Sequence, residues 1–275
     1  MPSKCVRNKR NCKVRILYHS ISSVVLFVWG VVALSLGLHA AANEGVHPFD
    51  VYAVDGAGEQ LLHIAVRPNG NQIQVMQEGV VAMPGKPHGI AKHPVQSVFI
   101  VTLPGQGAES PRAVTLELSD DGTLSIVGVS DLQHSTGYTS FDRTGGYFLT
   151  SSYHDGHFDV YQVKPDGVVG KRVSHQQVAE KYAHSVLTTS DNRFVYVPCV
   201  KEFNAIYQYS FDGQTGNVLP LEPFDAKPPH MFGPRHIAYH PDRPYVYFSN
   251  EQQLGVSAYR IEEDGQLAAL QHATT

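Results

Sequence analysis

Five side chains that can bind anions or move protons lie at related positions of this sequence, namely His88, His184, Lys201, Arg235 and Glu251. The guanidinium of Arg235 is a planar fork that matches the oxygens of a carboxylate or a phosphate. A neutral His184 or an ionised Glu251 can activate water as a general base. A cation beside an ester carbonyl can stabilise the oxyanion that develops there.

This set fits chemistry on a lactone that carries a carboxylate or a phosphate. We therefore predict catalytic roles for His184, Arg235 and Glu251, and leave open whether His184 or Glu251 is the general base. His88 and Lys201 are predicted substrate contacts, with Lys201 as a contact to an anion. No nucleophile elbow, P-loop or zinc-protease motif is present, and the residues predict neither a cofactor nor a metal site.

A repeat of about fifty residues positions these side chains. Four units begin at equivalent residues spaced by 49, 47 and 51, which are His88, Gly137, His184 and Arg235. Ten residues after each start the sequence predicts a second strand, beginning at Val98, Tyr147, Phe194 and Tyr245. The second half of each unit has a Gly-bearing turn between two further strands, at Asp121-Gly122, Asp166-Gly167, Asp212 to Gly216 and Asp264-Gly265.

Four antiparallel strands in about fifty residues are the pattern of a propeller blade, so the predicted fold is an all-β propeller of four-stranded blades. Residues 49–54, 61–66 and 72–79 predict a partial N-terminal blade of three strands, with Asn69-Gly70 as a hairpin turn. The innermost strand of a blade begins at the mouth of the channel where the second strand ends. Residues at the first repeat position, and Glu251 at the end of a second strand, should therefore meet at one mouth.

The first 42 residues form a separate segment. Six basic residues without an acidic one precede an apolar run, and Ala40-Ala41-Ala42 then offers a cleavage site. This order predicts a signal peptide at residues 1–42, a propeller domain at 43–275, and a periplasmic or secreted protein without a membrane contact after cleavage. An uncleaved signal anchor is the alternative, because residues 16–38 are long enough to span a bilayer.

The charge and cysteine content beyond the leader exclude several classes. Residues 43–275 carry 15 basic and 25 acidic side chains, a balance of −10 that disfavours nucleic acid as a partner. Cys199 is the one cysteine in this segment, so it forms no intrachain disulfide and no cysteine-pair zinc site.

Several histidines favour structural interpretations. His93 and His240 each precede a proline and are predicted to end inner strands as loop residues. His154 and His157 flank Gly156, but a His-x-x-His pattern in a polar loop is a weak metal signal and is interpreted as structural. Asp191 is predicted to shape a turn.

Residues 183–259 resemble the lactonase family that includes bacterial 6-phosphogluconolactonase and fungal carboxymuconate cycloisomerase. The matching pieces are His184-Ser185, Asp191-Asn192-Arg193, Val197-Pro198-Cys199-Val200-Lys201, Gly233-Pro234-Arg235-His236, His240-Pro241 and Asn250-Glu251. The resemblance weakens toward the N-terminus but extends back to about residue 49. It implies a seven-bladed propeller whose site uses His184, Arg235 and Glu251.

The resemblance also implies features that this chain does not have. About five blades are present, so the chain is predicted to be C-terminally truncated, and a further family arginine from a later blade has no counterpart. The leader is a second departure, because a secreted relative would meet an unphosphorylated sugar lactone or another organic-acid lactone. Three hypotheses therefore stay open: a lactone hydrolase, a non-catalytic propeller that binds a ligand or partner at the same mouth, and an inactive truncated product.

Overall fold

The protein is described by a computed structural model that covers residues 47–69, 72–105 and 109–275. The predicted leader and the Gly70 position of the first hairpin turn lie outside these residues. Within them the regular structure is entirely β, as predicted. No helix among the described residues has the length and apolar character needed to cross a membrane.

The strands form one three-stranded and four four-stranded antiparallel sheets. The first sheet contains β1 (Phe49–Asp55), β2 (Gln60–Asn69) and β3 (Gln72–Ala82). The second contains β4 (Gly89–Lys92), β5 (Val98–Leu103), β6 (Arg112–Leu118) and β7 (Leu124–Asp131). The third contains β8 (Tyr138–Phe141), β9 (Tyr147–Ser152), β10 (His157–Val163) and β11 (Val169–Gln177).

The fourth sheet contains β12 (Leu187–Thr188), β13 (Phe194–Cys199), β14 (Ala205–Phe211) and β15 (Val218–Ala226). The fifth contains β16 (Pro234–Tyr239), β17 (Tyr245–Asn250), β18 (Gly255–Ile261) and β19 (Leu267–Thr274). Consecutive sheets meet along their inner sides, with β1 next to β4, β4 next to β8 and β8 next to β12, while β16 lies beside β13, the second strand of the fourth sheet. This succession of sheets around an inner row of strands is the predicted propeller arrangement.

The second strands of the four complete sheets begin at the predicted residues. The predicted Gly-bearing turns also lie between the third and fourth strands, and Gly122, Gly167 and Gly265 have φ angles of 82°, 78° and 87°. Glycine suits these turns because it adopts positive φ without a Cβ clash. Each blade therefore has the same type of glycine-containing turn at an equivalent position of the repeat, which is why the repeat predicts where its strands begin.

The hydrophobic core lies between neighbouring sheets. Every residue of β5, β9 and β13 is buried, because both faces of these second strands pack against an adjacent blade. One core cluster joins Tyr147 and Phe158 of the third sheet to Val195 and Tyr209 of the fourth. In β17 of the fifth sheet, burial alternates with partial exposure along the strand.

Polar side chains link the inner strands across blade boundaries. The hydroxyl of Ser185 donates to the carbonyl of Arg235 over 2.8 Å, and the hydroxyl of Ser140 donates to the carbonyl of Val186 over 2.7 Å. His93 lies 3.1 Å from the carbonyl of Gly145 in the next sheet through Nε2, while its Nδ1 accepts backbone N–H groups of its own turn. The structural interpretation of His93 is therefore confirmed.

Candidate active site

His184, Arg235 and Glu251 come from three backbone segments that meet at one end of the inner strands. The N–H of His184, just before β12, donates to the carbonyl of Pro198 over 2.9 Å. Arg235 is the second residue of β16, and Glu251 directly follows β17. The N–H of Glu251 donates to the carbonyl of Gly233 over 2.8 Å. Backbone hydrogen bonds thus fix the positions of both His184 and Glu251.

The Nε atom of Arg235 lies close to both other predicted catalytic residues. Nε lies 2.8 Å from Nε2 of His184 and 2.9 Å from Oε2 of Glu251. Arginine only donates, so Nε2 of His184 is the acceptor and the imidazole proton is on Nδ1. That Nδ1 is buried, and no hydrogen-bond partner for it lies among the described residues. Because the Arg235 and Glu251 side chains are each 30% exposed, the ion pair is accessible to a small molecule.

Two histidines in this site are held in the neutral form. Burial is the main cause that lowers the pKa of His184, and together with the charges of His236 and the Arg235 guanidinium it brings that pKa to about 2. Burial lowers the pKa of His236 to about 4, with Arg235 as the second cause. The two rings are perpendicular, with centroids 4.8 Å apart. Each imidazole therefore stays uncharged beside the cation at neutral pH.

Gln252 ties the carboxylate of Glu251 to the neighbouring blade. Its Nε2 donates to Oε1 of Glu251 over 2.9 Å, and its Oε1 accepts the backbone N–H of Lys201 over 2.9 Å. Lys201 has a φ of 57°, and Gly233 has a φ of 64°. These left-handed residues turn the two loops toward each other, so that both oxygens of Glu251 have a fixed partner.

The ammonium of Lys201 lies beside two aromatic rings. Its Nζ is 4.4 Å from the ring centre of Tyr182 and 5.4 Å from that of Tyr153. A hydrogen bond with Tyr153 raises the pKa of Lys201, and the charge of Glu251 adds to this. Tyr153 also contacts His184, with centroids 5.7 Å apart and the rings perpendicular. The predicted anion contact therefore borders the cluster of His184, Arg235 and Glu251.

One match with known proteins establishes the family of this chain. A family profile described as "Lactonase, 7-bladed beta-propeller" matches residues 51–275. The chain belongs to this lactonase family. The five sheets described above are lactonase blades, and the expected fold and family resemblance are confirmed.

Individual relatives agree with this assignment. The chain is 28% identical over 210 residues to a 6-phosphogluconolactonase of Yersinia pestis, and the match spans 75% of this chain and 59% of the relative. The fold resembles that of a periplasmic gluconolactonase of Pseudomonas aeruginosa, with a TM-score of 0.71 and 20% identity over 83% of this chain and 69% of that one. A Bacteroides uniformis structure described as a putative 6-phosphogluconolactonase gives a TM-score of 0.68 at 15% identity, over 80% and 65% of the two chains.

His88 directly precedes β4 in the second sheet. Its backbone N–H donates to the carbonyl of Thr102 over 2.8 Å, and its ring hydrogen-bonds to the backbone of Thr136. Its role as a substrate contact stays a prediction.

Sequence reasoning missed three members of the site: Tyr153, His236 and Gln252. A usable signal existed for Tyr153, which lies six residues past the start of β9, just as Glu251 lies six residues past the start of β17. The repeat rule that selects Glu251 therefore also selects Tyr153. His236 and Gln252 follow predicted site residues in the chain, but their contacts depend on loop conformation that the repeat does not encode.

Proposed function

We propose that this lactonase-family chain carries the catalytic residues of a lactone hydrolase. The observation that supports the proposal is the position of Arg235, whose Nε–H donates to His184 and whose Nε lies 2.9 Å from a carboxylate oxygen of Glu251. A structural scaffold gains little from a half-exposed arginine–glutamate pair, since such pairs contribute at most about 1 kcal/mol to stability. Perturbed titratable groups beside an accessible ion pair are instead typical of a functional site.

Glu251 is the general base in this proposal, and His184 is a positioning residue. The Nε2 lone pair of His184 accepts the Arg235 N–H, and burial keeps the pKa of the ring at about 2. A group that resists protonation in this way is a poor proton acceptor at neutral pH. Glu251 is a partly exposed carboxylate whose Oε1 accepts a hydrogen bond from Gln252 and whose Oε2 is paired with Arg235, and each oxygen has a further lone pair for a water.

Cations supply the electrostatic part of the mechanism. The planar guanidinium of Arg235 has the geometry that suits a carboxylate or phosphate of the substrate. Lys201, held over Tyr153 and Tyr182, contributes a second positive charge near Glu251. Water activated by Glu251 attacks the ring carbonyl, and these cations stabilise the oxyanion that forms. The acyl C–O bond of the ring then breaks, the proton taken up by Glu251 passes to the leaving ring oxygen, and a hydroxy acid with a free carboxylate is the product.

The proposed substrate is the lactone of a sugar acid or another organic acid, and the proposed compartment is the periplasm or the cell exterior. The signal-peptide pattern of residues 1–42 favours export. The names of two similar proteins differ in whether the lactone is phosphorylated: one is a 6-phosphogluconolactonase and the other is a periplasmic gluconolactonase. Export favours the unphosphorylated class, because phosphosugars are cytosolic metabolites.

A lactone-hydrolysis screen followed by proton release tests the proposal. Phosphorylated and unphosphorylated lactones are offered to this chain and to a form extended to seven blades, because the chain spans 59% of its Yersinia relative. Binding of the corresponding acids by calorimetry is measured alongside. Lactone hydrolysis that is lost when Glu251 is replaced supports the lactone hydrolase. Acid binding that depends on Arg235, without lactone hydrolysis by either form, instead supports a non-catalytic propeller that binds a ligand.

A further inference from the structure

A second cluster of titratable side chains lies in the third sheet, separate from Arg235 and Glu251. Its centre is the carboxylate of Asp159, which is fully buried. Nδ1 of His134 lies 2.8 Å from Oδ2 of Asp159, and Nδ1 of His175 lies 2.7 Å from Oδ1. Nε2 of His157 lies 4.0 Å from Oδ2. Three imidazoles therefore converge on one buried carboxylate, and the proposed lactone chemistry uses none of them.

The propeller fold holds this cluster by strand register. Asp159 lies in the middle of β10, and His175 is its direct partner on β11. His157 lies two residues before Asp159 on the same strand, so both side chains point to one face of the sheet. His134 comes from the connection between β7 and β8, where the N–H of Gln133 donates to the hydroxyl of Tyr161 over 3.1 Å. Three separate segments are thus anchored around the carboxylate.

We propose that this cluster is a binding site for a divalent first-row transition metal ion of the Zn²⁺ class. The ligand atoms of His134, Asp159 and His175 all lie within 4.8 Å of one another. Imidazole nitrogen and carboxylate oxygen are the donors that Zn²⁺ takes in four-coordinate sites, at about 2.0–2.2 Å. In this proposal His157 supplies the fourth donor, since its buried Nε2 lies 4.0 Å from Oδ2 of Asp159.

Metal binding replaces hydrogen bonds that already connect these groups. Each Nδ1 that now hydrogen-bonds to Asp159 would lose its proton or pass it to Nε2, and the lone pair would then face the ion. The His134 and His175 side chains are each 36% exposed, so the outer side of both rings reaches solvent. The buried carboxylate and the buried His157 form the floor of the site, and the two half-exposed histidines form its entrance.

Arg172 is the group that opposes the metal. Its NH1 lies 3.2 Å from Oδ1 of Asp159 and 3.2 Å from Nδ1 of His134, so it compensates the buried negative charge. A divalent ion at the same place repels the guanidinium. The Arg172 side chain is 25% exposed and can turn toward solvent when the ion enters. Removing this positive charge should therefore strengthen metal binding, which a purely structural hydrogen-bond network does not predict.

Metal titrations test the proposal without reference to enzymatic activity. Chelator-treated, untagged protein is titrated with Zn²⁺ by calorimetry and with Co²⁺ by visible absorption. We expect a Co²⁺ spectrum typical of four coordination, and at least tenfold weaker binding in His134→Gln and in His175→Gln. Arg172→Gln should bind at least threefold more tightly.

The matched control is His63→Gln. His63 belongs to the other histidine-and-carboxylate group among the described residues, with the exposed Asp50 and Glu78. The proposal requires that His63→Gln leave the site unchanged. The proposal is overturned if Zn²⁺ does not bind, if Zn²⁺ binding is unchanged in His134→Gln and His175→Gln, or if His63→Gln abolishes Zn²⁺ binding. Should circular dichroism show that the histidine variants unfold, Arg172→Gln decides: unchanged or weaker binding overturns the proposal.

Discussion

Arg235 on β16 and Glu251, directly after the neighbouring β17, form an ion pair with Nε and Oε2 separated by 2.9 Å and both side chains 30% exposed. The Glu251 carboxylate keeps its second oxygen on Gln252. Its position is therefore fixed before any substrate binds, and a general base needs such preorganisation because proton transfer depends on short, aligned contacts.

Glu251→Gln should lower kcat by about 10²- to 10⁴-fold with little change in KM, the usual effect of losing one general base. The amide keeps the shape of the side chain but cannot accept the proton of a water. Proton-release kinetics on the most active lactone measure this change. Glu262→Gln, which alters an exposed ion pair with Arg260, is the matched control and should leave kcat unchanged. Equal rates in both variants would exclude Glu251 as the base.

Arg235→Lys should weaken binding of an anionic lactone or its acid product by about 10- to 100-fold, as expected when a charged hydrogen-bonding fork is lost. The ammonium keeps the charge but has no Nε–H to donate to His184. Calorimetry with the acid product measures the loss. Arg193→Lys disrupts a similar pair of 2.7 Å with Asp191 on an exposed turn and should bind as the unaltered protein does. If Arg235→Lys binds the acid product with unchanged affinity, Arg235 does not hold the anionic group of the ligand.

The repeat predicted the fold to the residue at several places. Val98, Tyr147, Phe194 and Tyr245 begin the second strands, because a turn of constant length separates them from the inner strands. The inner strand of the fourth sheet is the exception. It is only Leu187–Thr188, and the pairing closer to His184 is an isolated bridge between Ala183 and Cys199. The local pattern of apolar residues does not encode this interruption.

The site was less predictable than the fold. Equivalent repeat positions correctly brought His184 and Arg235 together, since inner strands lie side by side around the channel. The cluster around Asp159 was not predicted, because His134 and His175 are far apart in sequence and occupy no common repeat position. Side-chain contacts between the outer strand of one blade and a loop of another depend on packing that spacing alone does not reveal.

Export predicts a defined N-terminus. The basic leader and apolar run before Ala40-Ala41-Ala42 should be removed near Ala42 during secretion. Mass spectrometry of the protein from the periplasm or medium of its host measures this, with a variant carrying bulky residues at Ala40 and Ala42 as the control that should block cleavage. Recovery of protein that still begins at Met1 in the cytosol would contradict the export proposal.

Gly233→Ala should damage the site more than its backbone strain alone explains. Gly233 has a φ of 64°, and an added Cβ would collide with the side-chain amide of Gln252, which holds Glu251. Gly122→Ala is the matched control, since Gly122 has a φ of 82° but nothing within 4 Å of an added Cβ. Both variants should lose about 1 kcal/mol of unfolding free energy from positive φ. Only Gly233→Ala should lose further stability in denaturation assays and activity in kinetic assays. Equal losses in Gly233→Ala and Gly122→Ala would show that Gln252 does not contribute to the site.

The neutral histidines of the site predict acid destabilisation. The pKa values of His184 and His236 are about 2 and about 4 in the folded protein, against an ordinary value of 6.5. Below pH 6.5 the unfolded chain therefore binds protons that the folded chain does not. Stability is fully present above this pH and falls as pH drops, by up to about 1.4 kcal/mol per pH unit for each histidine.

This loss should continue to about pH 4 for His236 and to lower pH for His184. Urea denaturation at pH 7.5, 6.5 and 5.5 measures it. His236→Asn should reduce the slope between pH 6.5 and 5.5, because the asparagine amide does not titrate. The exposed His230 is the control, and His230→Asn should leave the slope unchanged. A slope that His236→Asn does not alter would mean that His236 is charged beside Arg235, and the neutral-histidine arrangement of the site would then be wrong.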